Sequence, residues 1–119
     1  ENNIDLMILC LGANDMLRGI NPKETKNNLE EIIKIAKNKN IKIIIAGMIA
    51  PTSYGFEYKK SFDKIFSDLS KKHKLQLIPF LLEGVAQKPE FNLSDGMHPN
   101  DQGTIIIGNT LKKAILENL

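Results

Sequence analysis

Two short blocks of the sequence carry residue types suited to acid–base chemistry. In Asp95-Gly96-Met97-His98-Pro99 a carboxylate stands three residues before an imidazole, with a glycine between them to let the chain turn. Such a carboxylate can bend back to accept from imidazole Nδ1, which fixes the tautomer and leaves Nε2 as a general base. In Gly12-Ala13-Asn14-Asp15 the Asn14 amide can donate to an oxygen that gathers negative charge, and Gly12 lets backbone and substrate approach closely. Each block alone also has a plainer reading: Gly, Asn and Asp form turns by themselves, and an Asp and a His in a surface loop can simply face water. Asp95 and His98 are also half of a metal-ligand pattern, but no second cluster of His, Cys or paired carboxylates completes it.

Other reactive side chains fit structural roles better. Cys10 lies in an apolar run and is expected to be a buried, inert thiol. His73 sits among lysines at the end of an expected helix, where a solvated imidazole is the simplest reading. Ser94 adjoins Asp95, too close along one loop to reach the opposite imidazole nitrogen, and is expected to shape a turn. Ser53 falls in a loop, and Ser61, Ser67 and Ser70 fall on a helix, facing solvent or capping.

Hydrophobic spacing predicts the elements that must position these blocks. Ile4–Leu11 is an apolar run broken only by Asp5 and closed by Gly12, which suits a parallel strand covered on both faces. Asn21-Pro22-Lys23-Glu24 offers an N-cap, a proline at the first helical position and a glutamate placed for a capping box. Leu29, Ile32, Ile33 and Ala36 give that helix one buried stripe. Ile41–Gly47 reads as a second strand, followed by the loop Met48–Gly55. A helix over about 57–72 follows, with Tyr58, Phe62, Ile65, Phe66 and Leu69 as its stripe and a basic last turn.

Leu75–Ile78 is a short third strand stopped by Pro79. The stretch 79–100 is irregular, with one helical turn expected around Leu81–Val85, and loops of that length are usually functional. A last helix, about 100–116, is expected to bury Ile107, Leu111, Ala114 and Ile115, with Gly108 allowing close approach to the sheet. This β-α-β-α-β-loop-α order predicts an α/β domain over 1–119 with parallel strands and right-handed crossovers. The loops after Leu11, Gly47 and Ile78 all follow strand C-termini and are expected to converge on one rim, where ligands of such sheets bind.

Composition narrows the function classes. Of 119 residues, 42% are hydrophobic, enough for the core of one globular unit. The net charge of +2 comes from lysines interspersed with acids, and Arg18 is the only arginine, so no stripe suited to nucleic acid appears. No apolar stretch reaches the roughly 18 residues that a membrane span needs. Glu1-Asn2-Asn3 is unlike the basic start of a signal peptide.

Taken together, the blocks resemble a known pattern. Gly12-x-Asn14-Asp15 is similar to block III of SGNH (GDSL-type) hydrolases, and Asp95-x-x-His98-Pro99 to block V. The runs Leu11–Gly19, Pro51–Gly55 and Asp95–Asn100 resemble the thioesterase I, arylesterase and lysophospholipase L1 subgroup, and the similarity covers essentially the whole chain. The resemblance implies a three-layer α/β/α, flavodoxin-like sheet and hydrolysis of small acyl esters or thioesters through an acyl-enzyme, with neither metal nor cofactor. It implies that Asn14 donates to the oxyanion, that His98 is the base and that Asp95 orients it. Gly12, Tyr54 and Gly55 would contact substrate, and Asp15 would hold its loop in shape. It further implies a periplasmic or secreted location if a signal peptide precedes the chain, and a cytoplasmic one otherwise.

The family's Gly-Asp-Ser nucleophile block, and the block that adds a glycine N–H to the oxyanion hole, have no counterpart in these residues. The expectation is therefore a C-terminal portion whose N-terminal strands are missing. The run Ile4–Leu11, central in character, would become a bare edge that needs the missing segment to complete the sheet. A chain lacking the serine is expected to be inactive by itself. The competing expectation is a non-catalytic or incomplete fragment that acts only as a binding or partner module. A nucleotide-binding or receiver-like reading finds no glycine-rich phosphate loop or acidic cluster after the first strand.

Overall fold

Cap chemistry and apolar stripes account for where the elements begin and end. The computed structural model describes residues 3–118. In chain order the first elements are β1 (Leu6–Leu9), α1 (Ala13–Leu17), α2 (Pro22–Asn38), β2 (Lys42–Ala46), a 3-10 turn (Thr52–Tyr54), α3 (Phe56–His73) and β3 (Gln76–Ile78). Asn21 caps α2 by accepting from the Lys23 N–H at 3.0 Å, and Pro22 opens the helix as expected. Helices α2 and α3 each stop on a left-handed residue other than glycine. Asn40 (φ 59°) follows α2 and Lys74 (φ 56°) follows α3. In each case the next residue's N–H reaches back across the last turn, Ile41 to the Ala36 carbonyl at 3.0 Å and Leu75 to the Ser70 carbonyl at 2.9 Å. Ile41 and Leu75 then pack against the core, so each cap feeds directly into a strand.

The strands are parallel and run in the order β1-β2-β3, with Leu9 beside Ile45 and Ile45 beside Leu77. Alternation along a strand puts Leu9, Ile43 and Ile45 on one face, where they meet α2 and α3. Leu29, Ile33 and Ala36 come from α2, and Phe62, Ile65, Phe66 and Leu69 from α3, so the expected stripes are the buried ones. Phe62 is fully buried, stacked near Tyr58 and edge-on to Phe66. Ile44, Ala46 and Ile78 point to the opposite face and are buried as well. The strand expected over Ile4–Leu11 is shorter, and β1 has one paired neighbour in this three-stranded sheet.

The chain divides between Pro79 and Phe80 into two compact units. The second begins with the expected helical turn, in which the Leu82 carbonyl accepts from the Val85 and Ala86 N–H groups, each at 2.9 Å. A 3-10 turn (Pro89–Phe91) and α4 (Asp101–Leu116) follow. Asn100 caps α4, its Oδ1 accepting from the Gly103 N–H at 2.9 Å. Ala114 is buried, whereas Ile107, Leu111 and Ile115 are only half-buried. Gly108 is not the close-approach position it was expected to be, since a side chain there would meet nothing within 4 Å. The tight glycine of α4 is Gly103, where a Cβ would collide with the carbonyl oxygen of Phe91 in the 3-10 turn rather than with the sheet.

Candidate active site

Asp95 and His98 are brought together by a self-contained loop. Asn92 and Pro99 form an antiparallel bridge, and inside it the Leu93 N–H donates to the His98 carbonyl at 2.7 Å. The turn between them needs Gly96 at φ 72°. Asp95 Oδ1 accepts from the backbone N–H groups of Met97 (2.8 Å) and His98 (3.0 Å). Its other oxygen, Oδ2, lies 2.6 Å from His98 Nδ1. The His98 ring bond first, and then the two backbone N–H groups, hold the Asp95 carboxyl well below the usual carboxylate range. With Asp95 ionised, Nδ1 carries the proton and Nε2 is the free basic nitrogen. The pair is open to solvent, the His98 and Asp95 side chains being 71% and 44% exposed.

Two asparagines anchor this loop that sequence spacing alone does not single out. Asn92 Nδ2 donates to the carbonyls of Val85 and Lys88, both at 2.8 Å. Asn100 Nδ2 donates to the Glu90 carbonyl at 2.9 Å, while its backbone N–H bonds the Phe91 carbonyl at 3.0 Å. Asparagines flanking an irregular stretch are the one signal that could have marked them.

In the first unit, Gly12 precedes α1 at φ 127°, a conformation that excludes ordinary side chains. Asn14 follows on the first turn of α1, exposed, and within the described residues no hydrogen bond occupies its side-chain amide. Asp15 accepts from Thr25 Oγ1 at 2.8 Å, and Thr25 is buried, so this carboxylate ties the loop to α2. Gly12 and Asn14 line a cleft of about 510 Å³ together with Arg18, Asn28, Leu29 and Met48. Tyr54 and Gly55 lie outside that cleft, in the segment leading into α3. Gly55 (φ 95°) is the N-cap of α3, and the Tyr54 ring packs 5.7 Å from that of Tyr58. Tyr58 in turn donates its hydroxyl to the Ile20 carbonyl at 2.9 Å.

Two expectations about reactive side chains are corrected. Cys10 is exposed rather than buried, because it lies one residue beyond Leu9, the last residue of β1, past the end of strand pairing. Partial desolvation still pushes its thiol pKa up, which disfavours the nucleophilic thiolate. His73 is not a solvated imidazole. Its Nε2 lies 2.7 Å from Glu30 Oε2, and both side chains are nearly buried. Among the serines, Ser70 Oγ donates to the Leu75 carbonyl and Ser67 Oγ to the Lys64 carbonyl, so both are committed to the helix end or backbone.

Residues 1–104 match the model of the GDSL-like lipase/acylhydrolase family. The chain belongs to this family. Its relatives place it in the thioesterase I and arylesterase subgroup. It is 34% identical to an arylesterase of Vibrio mimicus over its whole length, covering 60% of that protein. It is 33% identical to the thioesterase 1/protease 1/lysophospholipase L1 of Escherichia coli, with 92% of this chain covering 52% of that protein. The crystal structure of TesA superposes on 96% of the chain with a TM-score of 0.89 at 28% identity, and the match takes in 63% of TesA. The chain thus spans between half and two thirds of the length of these relatives. The α/β fold is that of the SGNH hydrolases. Among the described residues no helix is long and apolar enough to cross a membrane.

Proposed function

We propose that this chain carries the general base and an oxyanion donor of a serine hydrolase acting on acyl esters or thioesters, and that the nucleophilic serine comes from a segment outside these 119 residues. The observation that carries the reading is the 2.6 Å contact between Asp95 Oδ2 and His98 Nδ1, which leaves Nε2 to serve as base. In the proposed reaction Nε2 takes the serine hydroxyl proton as the oxygen attacks the acyl carbon. The Asn14 amide donates to the resulting oxyanion. Collapse expels the alcohol or thiol with the proton held by His98, and water then repeats the sequence on the acyl-enzyme. Gly12 gives the carbonyl room to approach, and Tyr54 and Gly55 contact the acyl chain. The esterase and thioesterase names of the relatives support the ester or thioester class.

The test uses the protein as encoded in its genome, assayed with p-nitrophenyl esters and an acyl thioester. His98→Ala is expected to lower kcat by about 10³-fold or more with the fold intact. The DNA upstream of residue 1 is expected to encode Gly-Asp-Ser at a strand-to-helix turn. Turnover that survives His98→Ala, or a start codon with no such block, would overturn the reading and favour a non-catalytic binding module.

A further inference from the structure

The segment between β2 and α3 is gripped from outside in a way that the family resemblance does not assign. Asp63 Oδ1 accepts from the Ala50 N–H at 2.6 Å, and Lys59 Nζ donates to the Ala50 carbonyl at 2.9 Å. The two side chains also pair with each other, Nζ to Oδ2 at 2.7 Å. An isolated i,i+4 pair on a helix surface stabilises little. This one has further work, because Ala50 is only 1% exposed and its peptide groups have no ready access to water. Each of its two backbone groups has a charged partner, and charge-assisted bonds are the stronger kind.

At the other end of the segment, the Lys59 backbone N–H donates to the Gly55 carbonyl at 3.0 Å. One residue therefore holds both ends of the stretch 50–55, by side chain at Ala50 and by main chain at Gly55. Between those ends the local ties are short-range turn bonds, Tyr54 N–H to the Pro51 carbonyl at 3.3 Å and Gly55 N–H to the Thr52 carbonyl at 3.0 Å. The placement of Tyr54 thus depends on the grip at each end, together with its ring contact to Tyr58.

We propose that Lys59 and Asp63 are positioning residues that set the shape of the 50–55 segment and so determine which acyl chain lengths are turned over best. This rests on the reading of Tyr54 and Gly55 as acyl-chain contacts. Neither Lys59 nor Asp63 touches substrate in this account.

Two measurements on the protein as encoded test it. Lys59→Met removes the ammonium but keeps the stem, Asp63→Ala removes both acceptors, and Lys59→Arg restores the charge. Amide exchange at Ala50 is expected to accelerate about tenfold in the first two and to stay near its original rate in Lys59→Arg. Across p-nitrophenyl acetate to decanoate, the ratio of long-chain to short-chain kcat/KM is expected to change by about tenfold in Lys59→Met and Asp63→Ala, with recovery in Lys59→Arg. If Asp63→Ala does not fold, Lys59→Met decides. Equal losses at every chain length in folded variants, or unchanged Ala50 exchange, overturn the proposal. If the unsubstituted protein turns over neither ester nor acyl thioester, the hydrolase reading fails and the chain-length role with it, and Ala50 exchange then tells that failure apart from a failure of the grip.

Discussion

Asp95 divides its two oxygens between two tasks: Oδ1 shapes the loop through the Met97 and His98 amides, and Oδ2 meets the imidazole. The division lets loop shape and imidazole orientation be separated by experiment. Asp95→Asn keeps a carbonyl oxygen for the two backbone donors but offers an NH2 group where Nδ1–H needs an acceptor. It is expected to lower kcat by about 10³- to 10⁴-fold with little change in thermal stability, as read by steady-state kinetics beside a melt. Activity near that of the unsubstituted protein would remove Asp95 from the mechanism. The pairing of Asp95 with His98 is legible in the sequence because a three-residue spacing across a glycine closes within one turn. The Glu30–His73 contact is not, since its partners stand on different helices and periodicity within α3 says nothing of what faces its end. The Lys59–Asp63 spacing is visible as an i,i+4 pair, but that both would turn to Ala50 depends on tertiary packing.

Besides the Lys26–Asp68 ion pair at 3.3 Å, α2 and α3 are joined at Glu30, which meets both Lys72 and His73 at 2.7 Å, while Lys37 Nζ donates to the His73 carbonyl. Hydrogen bonds from Lys72 and then His73 lower the Glu30 pKa to about 2, against an ordinary 4.5. A carboxyl with a depressed folded-state pKa stabilises the fold fully above its unfolded value, and that contribution disappears as pH falls through the folded one. The loss is therefore expected between pH 4.5 and about 2. In denaturant unfolding at stepped pH, Glu30→Gln should flatten the acid limb over that window, and a curve that merely runs parallel to the original would show that Glu30 does not couple to folding. Helices α2 and α3 are legible because their stripes span several turns and their ends carry cap signals. Helix α1 is not, because its five residues bury nothing and leave no stripe to detect. Gly103 and Gly108 look alike in sequence, and only the Phe91 carbonyl distinguishes them.

At the scale of the whole chain, the strand sequence β1-β2-β3 and its parallel sense follow from alternation of strands with helices, which is why the class was legible. The extent of β1 was not, because an apolar run does not reveal where its neighbour stops pairing. The sheet joins residues far apart in sequence, Leu6 with Lys42 and Ile44 with Gln76. The bonds that shape the Asp95–His98 pair all close between Val85 and Gly103. Closing a loop of about ten residues takes on the order of 10–100 ns, whereas non-local strand pairing must first meet a larger entropic cost. In refolding followed by pulsed hydrogen exchange, the Met97 and His98 amides should gain protection before that of Ile44, and the reverse order would show that the loop waits for the sheet. The Asp95–His98 pair would then be the early product of folding, poised while the rest of the chain is still searching.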